Sequence, residues 1–352
     1  MNGSSALVVG AGLWGCTVAR RLAEAGRKVL VLEKRAAVGG NCRCETDSET
    51  GIEVHVYGSH IFHTHDRKVW DFVRRFTEFN GYQHKVLASW RGRLYHLPLG
   101  LTLVNKFFDV ELKPGELEAF LAEPERKDAL FDAFFRGYTS KQWGCPPEAV
   151  DPAVIRRVPV RSSYDTNYFN DSWQGIPSDG YNALFDRLLD HPNITVRTNE
   201  EFRIGTEEWR NRRVYYSGPI DALFGYKFGP LPWRSLRFEQ ERLSVADSQG
   251  TSVVNYTEAG VPYTRIHEFK HYHPERKDVM GLPKTVVMRE YPKAWEPGDE
   301  PYYPVNNPGS AALLAKYQAE AERAKLVVGG RLGAYRYYDM DQAIAAALVL
   351  DI

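Results

Sequence analysis

Gly10, Gly12 and Gly15, with Glu33 further along, have the types and spacing that can hold a dinucleotide. Gly10 permits a tight turn, Gly12 lets backbone approach a pyrophosphate, and Gly15 lets a helix pack on a strand, so that the helix N-terminus faces the anion. Glu33 lies about 20 residues on, where a carboxylate accepts hydrogen bonds from a ribose. A second glycine pair, Gly39-Gly40 before Asn41, brings another loop to the same place. That second pair points to FAD rather than NAD. Three histidines, His60, His63 and His65, stand close together, but no carboxylate or cysteine joins them at ligand spacing and their neighbours are aromatic. A role lining a cofactor or packed in the core is expected of them, and no metal.

The elements that would position these residues follow from periodicity. Ala6 to Val9 is a short apolar run, Trp14, Val18 and Leu22 repeat at helical spacing, and Lys28 to Leu32 is a second β-branched run that ends on Glu33. This is strand, glycine turn, helix, strand. Ile52 to Tyr57 alternates as a strand, Asp66 to Phe79 has helical periodicity, and Gln83 to Leu97 reads as two strands around Arg91-Gly92. Helical runs at Glu116 to Ala122 and Lys127 to Tyr138 predict a small helical insertion carrying the aromatic cluster Phe131, Phe134, Phe135, Tyr138 and Trp143. From Val158 the pattern is strand-like, with a helix at Asn182 to Leu189 and a short strand at Val214 to Ser217. Strands at Ser235 to Arg242, Thr251 to Tyr256, Tyr263 to Phe269 and Thr285 to Glu290 predict an antiparallel sheet. Leu326 to Gly330 returns to the strand and glycine turn of the opening, and Asp339 with Gln342 has capping-box spacing before a helix to Leu348.

The fold class expected is therefore α/β: a discontinuous Rossmann-like FAD-binding domain with a small helical insertion domain and an antiparallel β-sheet domain. The expected boundaries are residues 1–82, 178–232 and 309–352 for the FAD domain, 99–150 for the helical insertion, and 83–98, 151–177 and 233–308 for the sheet domain. A chain of 352 residues has room for two or three domains. Its 45 Lys plus Arg balance 45 Asp plus Glu, so no basic field is present to hold nucleic acid or an anionic membrane. Cys16, Cys42, Cys44 and Cys145 form no CxxC pair and read as reduced thiols. With no signal-type leader and no run near ~18 apolar residues, a soluble, cytoplasmic protein with no membrane span is expected.

Assembled, these pieces resemble the bacterial-type UDP-galactopyranose mutase family. The similarity runs through Gly39-Gly40-Asn41, Tyr57 to Thr64, Gly137 to Gly144, Val158 to Arg161, Asn167-Tyr168-Phe169, Gln174 to Pro177, Val261 to Arg265, Pro301 to Asn306, and Gly329 to Met340. It covers essentially the whole chain. The resemblance implies an FAD enzyme that interconverts UDP-galactopyranose and UDP-galactofuranose without net redox change, with reduced flavin acting as nucleophile through a covalent N5-sugar adduct. It also implies a small-molecule nucleotide-sugar substrate and leaves a homodimer open.

By the same resemblance, Arg157 and Arg265 match two arginines that grip the diphosphate, and with His63, near the flavin ring, they are the expected catalytic residues. Guanidinium forks suit that task because their geometry matches the diphosphate oxygens. Tyr138 matches a tyrosine on which uracil stacks and Trp143 a tryptophan lining the cleft. Tyr168, Tyr303 and Tyr337 match tyrosines on diphosphate oxygens, and Asp339 approaches sugar and flavin. Gly10, Gly12, Leu13, Trp14, Glu33, Lys34, Gly40 and Asn41 are the expected cofactor contacts from the N-terminal half, joined by His60 and Ile61. Arg331, Tyr338, Asp339 and Met340 are those from the C-terminal end. The chain departs from the family pattern in a shortened stretch between Phe107 and Arg136, in Ser162-Ser163 for a more aromatic pair, and in Ser59 for the usual alanine. Two alternatives follow: the same chemistry on another nucleotide sugar (UDP-N-acetylgalactosamine, a UDP-pentose or a dTDP-deoxyhexose), or a flavin oxidoreductase of amine-oxidase type.

Overall fold

The computed structural model describes residues 5–150, 160–207, 209 and 212–352. The strand Ala6–Val9 is the centre of a five-stranded, wholly parallel sheet ordered 194–198, 29–33, 6–9, 213–216, 327–328. All four of its residues are buried, as a strand covered on both faces requires. Ala6 and Val8 face the helix Leu13–Glu24, while Leu7 and Val9 face Tyr317 and Ala321 of the helix Pro308–Arg323. Strand alternation thus sorts the apolar residues into two cores. The chain first adds strands on one side of Ala6–Val9 and then crosses to the other. Its carboxyl end is therefore the switch point of the sheet, the place where open α/β sheets leave a crevice for ligands.

A second, seven-stranded sheet runs in the order 303–304, 233–243, 285–294, 265–268, 253–256, 86–90, 93–97. Its pairs are antiparallel as expected, with one exception: Val86–Trp90 lies parallel to Val253–Tyr256. The helical region is broken more finely than periodicity suggests, into Leu101–Phe108, Leu117–Phe120 and Pro124–Phe131, a wide π-type turn at Asp132–Arg136, and Gly137–Trp143. The wide turn re-aims the last helix. Phe134 packs against Tyr95 at a ring distance of 5.0 Å, whereas Tyr138 and Trp143 face a cavity. The helix at Asp66 is also shorter than expected, Arg67–Val73, and starts on Asp66 as its cap.

Two contacts dock the Gly137–Trp143 helix on the second sheet. A Cβ at Gly137 would lie 2.4 Å from the Thr257 carbonyl oxygen, so a side chain there would force the helix away. Lys141 Nζ donates to the carbonyls of Tyr256, Val261 and Tyr263 at 2.8 to 2.9 Å. Among the described residues no helix is long and apolar enough to cross a membrane.

Candidate active site

Two cavities of about 790 and 580 Å³ open side by side. They share one wall, formed by Asn41, His60, Arg331, Asp339 and Met340. The first cavity lies at the switch point. Gly10, Gly12, Leu13 and Trp14 line it from the opening turn, and Glu33, Lys34 and Gly40 from the two following loops. Tyr338 joins from the C-terminal end. Gly15 is needed for packing: a Cβ there would stand 2.0 Å from the Gly10 carbonyl oxygen. Gly40 holds φ at +55°, and a Cβ on it would meet Gly12 Cα at 3.0 Å, so the two glycine loops touch backbone to backbone. Trp14 packs its ring where a side chain on Gly329 would be, locking the first glycine turn to the last.

Glu33 is buried and accepts from Ala11 N–H at 2.8 Å and Arg35 N–H at 2.9 Å, one on each oxygen. Each oxygen keeps a further acceptor position for a ribose hydroxyl. Arg35 was not singled out in the sequence, although it stands two residues after Glu33. Its guanidinium lies 4.4 Å over the Tyr57 ring and bonds Glu300 at 2.8 Å, while its buried Nη1 has no hydrogen-bond partner. An unpartnered buried donor in the wall of this cavity is suited to an anion.

The second cavity gathers the other expected residues. Tyr138, Trp143, Tyr168, Arg265, Tyr303 and Tyr337 line it, with His63 and Ile61. Ile61 thus lines the second cavity and not the first, just before the strand Phe62–Thr64, which pairs with Trp173–Gly175. Arg157 lies outside the described residues. Arg265 sits at the start of the strand Arg265–Glu268, and its Nε donates to the Tyr138 hydroxyl at 2.8 Å. Burial works against its charge, but Tyr138, Glu290 and Tyr303 outweigh that and raise its pKa well above the ordinary guanidinium value. Tyr138 and Tyr303 are pushed upward by burial and stay protonated, so their hydroxyls can donate. Tyr303 and Tyr337 stack at 5.5 Å, and the Arg331 guanidinium lies 5.7 and 5.3 Å from the two rings.

Around the histidines the structure corrects the sequence. A carboxylate does join them: Asp171 Oδ2 lies 3.0 Å from His63 Nδ1, and Asp171 Oδ1 lies 3.7 Å from His65 Nε2. Asp171 is 108 residues from His63 in the chain, which is why local spacing did not reveal it. His63 also stacks on Phe169 at 3.7 Å. His60 bonds the Gly58 carbonyl through Nδ1 at 2.6 Å, so Nε2 is the acceptor nitrogen at the wall the cavities share. Burial first, and then Arg331, hold its pKa at about 4. Cys44, Glu53 and His55 also cluster. His55 Nδ1 accepts from the His60 N–H at 3.0 Å, however, which leaves the proton on Nε2, the wrong tautomer for a cation. Glu290, His84 and His267 were likewise missed. Glu290 is buried; burial pushes its carboxyl up, but Arg265 and the His267 hydrogen bond hold it down at about 2.

A family model described as UDP-galactopyranose mutase matches residues 133–337, more than half of the chain. The chain belongs to the UDP-galactopyranose mutase family. A model described as an NAD(P)-binding Rossmann-like domain matches residues 8–76, the unit around the first cavity. Over 99% of its length the chain is 39% identical to a Klebsiella pneumoniae protein named "Probable UDP-galactopyranose mutase", covering 94% of that protein. It is 38% identical to an Escherichia coli protein named dTDP-fucopyranose mutase, over 97% of this chain and 96% of that one. The fold matches a crystal structure of reduced UDP-galactopyranose mutase with a TM-score of 0.76 at 18% identity, covering 99% of this chain and 93% of that one. As a member of the UDP-galactopyranose mutase family, the chain is an isomerase with a Rossmann-like dinucleotide-binding domain.

This UDP-galactopyranose mutase-type site carries several histidines held neutral, and they set an acid limit on stability. His55 and His84 are buried, and burial holds the first well below its ordinary value and the second at about 3. The unfolded chain protonates them below about pH 6.5 while the fold resists, so stability is full above that pH and falls as pH drops. Each takes up to ~1.4 kcal/mol per pH unit. His271 and His273 are raised instead, by carboxylates that outweigh burial. Below about pH 6 they are protonated folded or unfolded and add no opposing slope. Urea midpoints measured from about pH 7 to 4 should fall steadily; a flat profile would show that these rings are already protonated in the fold.

Proposed function

We propose that the chain is an FAD-dependent mutase interconverting UDP-galactopyranose and UDP-galactofuranose, active with the flavin reduced. The observation that carries this reading is the shared wall. One cavity suits a dinucleotide and the next gathers Arg265 with protonated tyrosines, so a flavin ring held at Asn41, His60, Arg331, Asp339 and Met340 would face the sugar of a nucleotide sugar. The residues fit FAD: Gly12 and Gly40 leave backbone bare where a pyrophosphate would pass, Arg35 offers an unpartnered donor, and Glu33 keeps acceptor positions. In this reading residues 1–82, 178–232 and 309–352 form the cofactor domain, and four free cysteines fit a cytoplasmic setting.

When bound, reduced flavin would supply the nucleophile for the ring contraction. The chain supplies binding and charge. Arg265, whose Nε is committed to Tyr138, turns its terminal nitrogens to the diphosphate and stabilises the charge it gains on leaving. Tyr168, Tyr303 and Tyr337 contribute hydroxyls around the same oxygens. His60, neutral and with Nε2 as acceptor, offers a place for a proton beside the flavin. The mutase with a dTDP sugar is the second reading, because the relative named for a dTDP sugar is 38% identical to this chain, beside 39% for one named for the UDP sugar.

Both are decided by chromatographic conversion of UDP-galactofuranose, and in parallel dTDP-fucofuranose, with dithionite present and with the flavin left oxidised. Conversion of the UDP sugar only under reduction is expected. A preference for the dTDP sugar would move the substrate and keep the chemistry. Equal conversion in both redox states would defeat the nucleophilic flavin.

A further inference from the structure

Glu290 stands directly opposite Arg265 in the antiparallel ladder, and both side chains line the second cavity. Residues so placed have Cβ atoms about 5 Å apart, well within reach of an ion pair. Yet among the described residues no Arg265–Glu290 ion pair forms within 4.0 Å; Arg265 Nε is turned to Tyr138. The carboxylate is held elsewhere. Thr264 Oγ1 donates to Oε1 at 3.2 Å, and His267 Nε2 lies 3.2 Å from Oε2. His267 is two residues beyond Arg265 on the same strand, so it shares that face and reaches Glu290 on the diagonal.

His267 is itself held. Its Nδ1 lies 2.5 Å from Ser59 Oγ, and the Tyr272 hydroxyl donates to the same oxygen. His267 is fully buried and Glu290 only 2% exposed. With Glu290 ionised, the donors run one way: Tyr272 to Ser59, Ser59 to Nδ1, and Nε2–H to the carboxylate. The arrangement has the order of a serine–histidine–glutamate nucleophile, but lacks what that chemistry needs. The backbone N–H after the serine, which such a nucleophile uses as an oxyanion donor, belongs to His60, and it is spent on His55 Nδ1 at 3.0 Å.

We infer that His267, backed by Ser59 and Tyr272, is a positioning residue that keeps the Glu290 carboxylate off Arg265 and so leaves the Arg265 guanidinium open for the diphosphate of the substrate. The inference rests on the proposed nucleotide-sugar reading and adds what governs affinity within it. Without the His267 donor, Glu290 swings to its opposite neighbour, and the arginine meets UDP already paired.

The test is titration calorimetry of UDP into the holoenzyme, with KM for UDP-galactofuranose measured alongside. His267→Leu should bind UDP at least about tenfold more weakly and raise KM by a similar factor. His267→Gln, which keeps an N–H donor, should stay within about threefold of wild type. His267→Leu combined with Glu290→Gln should recover UDP affinity, since the competing charge is gone; packing damage would be deepened by the second change, not relieved. If His267→Leu does not accumulate, His267→Asn, too short to reach Glu290, takes its place. Unaltered UDP binding in the single variant, or no recovery in the double one, overturns the inference while leaving the nucleotide-sugar reading intact. Failure of the wild-type holoenzyme to bind UDP at all would overturn both.

Discussion

Replacing Arg265 by alanine should lower kcat/KM for UDP-galactofuranose by about a thousandfold while the protein still purifies with its full flavin. The size follows from the role. A positioned donor on a leaving or oxyanionic charge is worth about 10²–10³ in kcat, and a guanidinium, with a full charge and two forked nitrogens, belongs at or above the upper end. Flavin retention follows from place: Arg265 lines the second cavity and is no part of the first. Arg265→Lys should recover no more than about tenfold of the loss. A lysine is a point charge without the fork, and it lacks the Nε that Tyr138 orients at 2.8 Å. Arg265→Ala, unlike Arg265→Lys, also strands Glu290, whose low pKa rests on Arg265 and His267. Steady-state rates together with flavin absorbance per chain decide the matter. A variant that turns over near the wild-type rate would remove Arg265 from the site; one that loses flavin would show that its effect is on the fold.

How much of this site could be read in the residues alone depended on how local its signals are. The first cavity is built from neighbours: Gly10, Gly12, Gly15 and Glu33 lie within one strand–helix–strand unit, and its spacing alone specifies the turn. The expected strand for Leu326 to Val328 and the Asp339 cap were legible for the same reason; the Asp339 N–H does bond Gln342 Oε1, at 3.0 Å. The second cavity is assembled across distance. Ser59 meets His267 208 residues away, and Arg265 faces Glu290 only because of sheet register. Nothing periodic marks either pair, and family resemblance, not spacing, brought Arg265 and the tyrosines forward. The helix Pro308–Arg323, absent from the expected elements, was legible on local grounds too: Leu313, Leu314, Tyr317 and Ala321 recur at helical spacing and pack on one core. The parallel pairing of Val86–Trp90 with Val253–Tyr256 has no hairpin turn to announce it.

Gly12→Val should yield a folded protein that retains less than about a tenth of the wild-type flavin, because the valine side chain would fill the space a pyrophosphate must enter. The protein itself has room for a Cβ there, and the position opens on the first cavity. Gly12 has φ of −82° and ψ of −175°, an extended conformation that suits a β-branched residue, and the nearest heavy atom to a Cβ there is Gly40 Cα at 3.9 Å. Gly15 in the same motif is the opposite case. Its Cβ would stand 2.0 Å from the Gly10 carbonyl oxygen, a backbone atom that cannot swing aside, so Gly15→Ala should lose stability by overpacking, on the order of 1–3 kcal/mol. The comparison needs a common reference, because any protein that loses a tight ligand also loses the stability the ligand contributes. The thermal midpoint of Gly12→Val should therefore match that of wild-type protein stripped of flavin, while Gly15→Ala falls below it. A fully yellow Gly12→Val would place the pyrophosphate elsewhere. A Gly12→Val midpoint as low as that of Gly15→Ala would mean that this glycine, too, serves the fold rather than the cofactor.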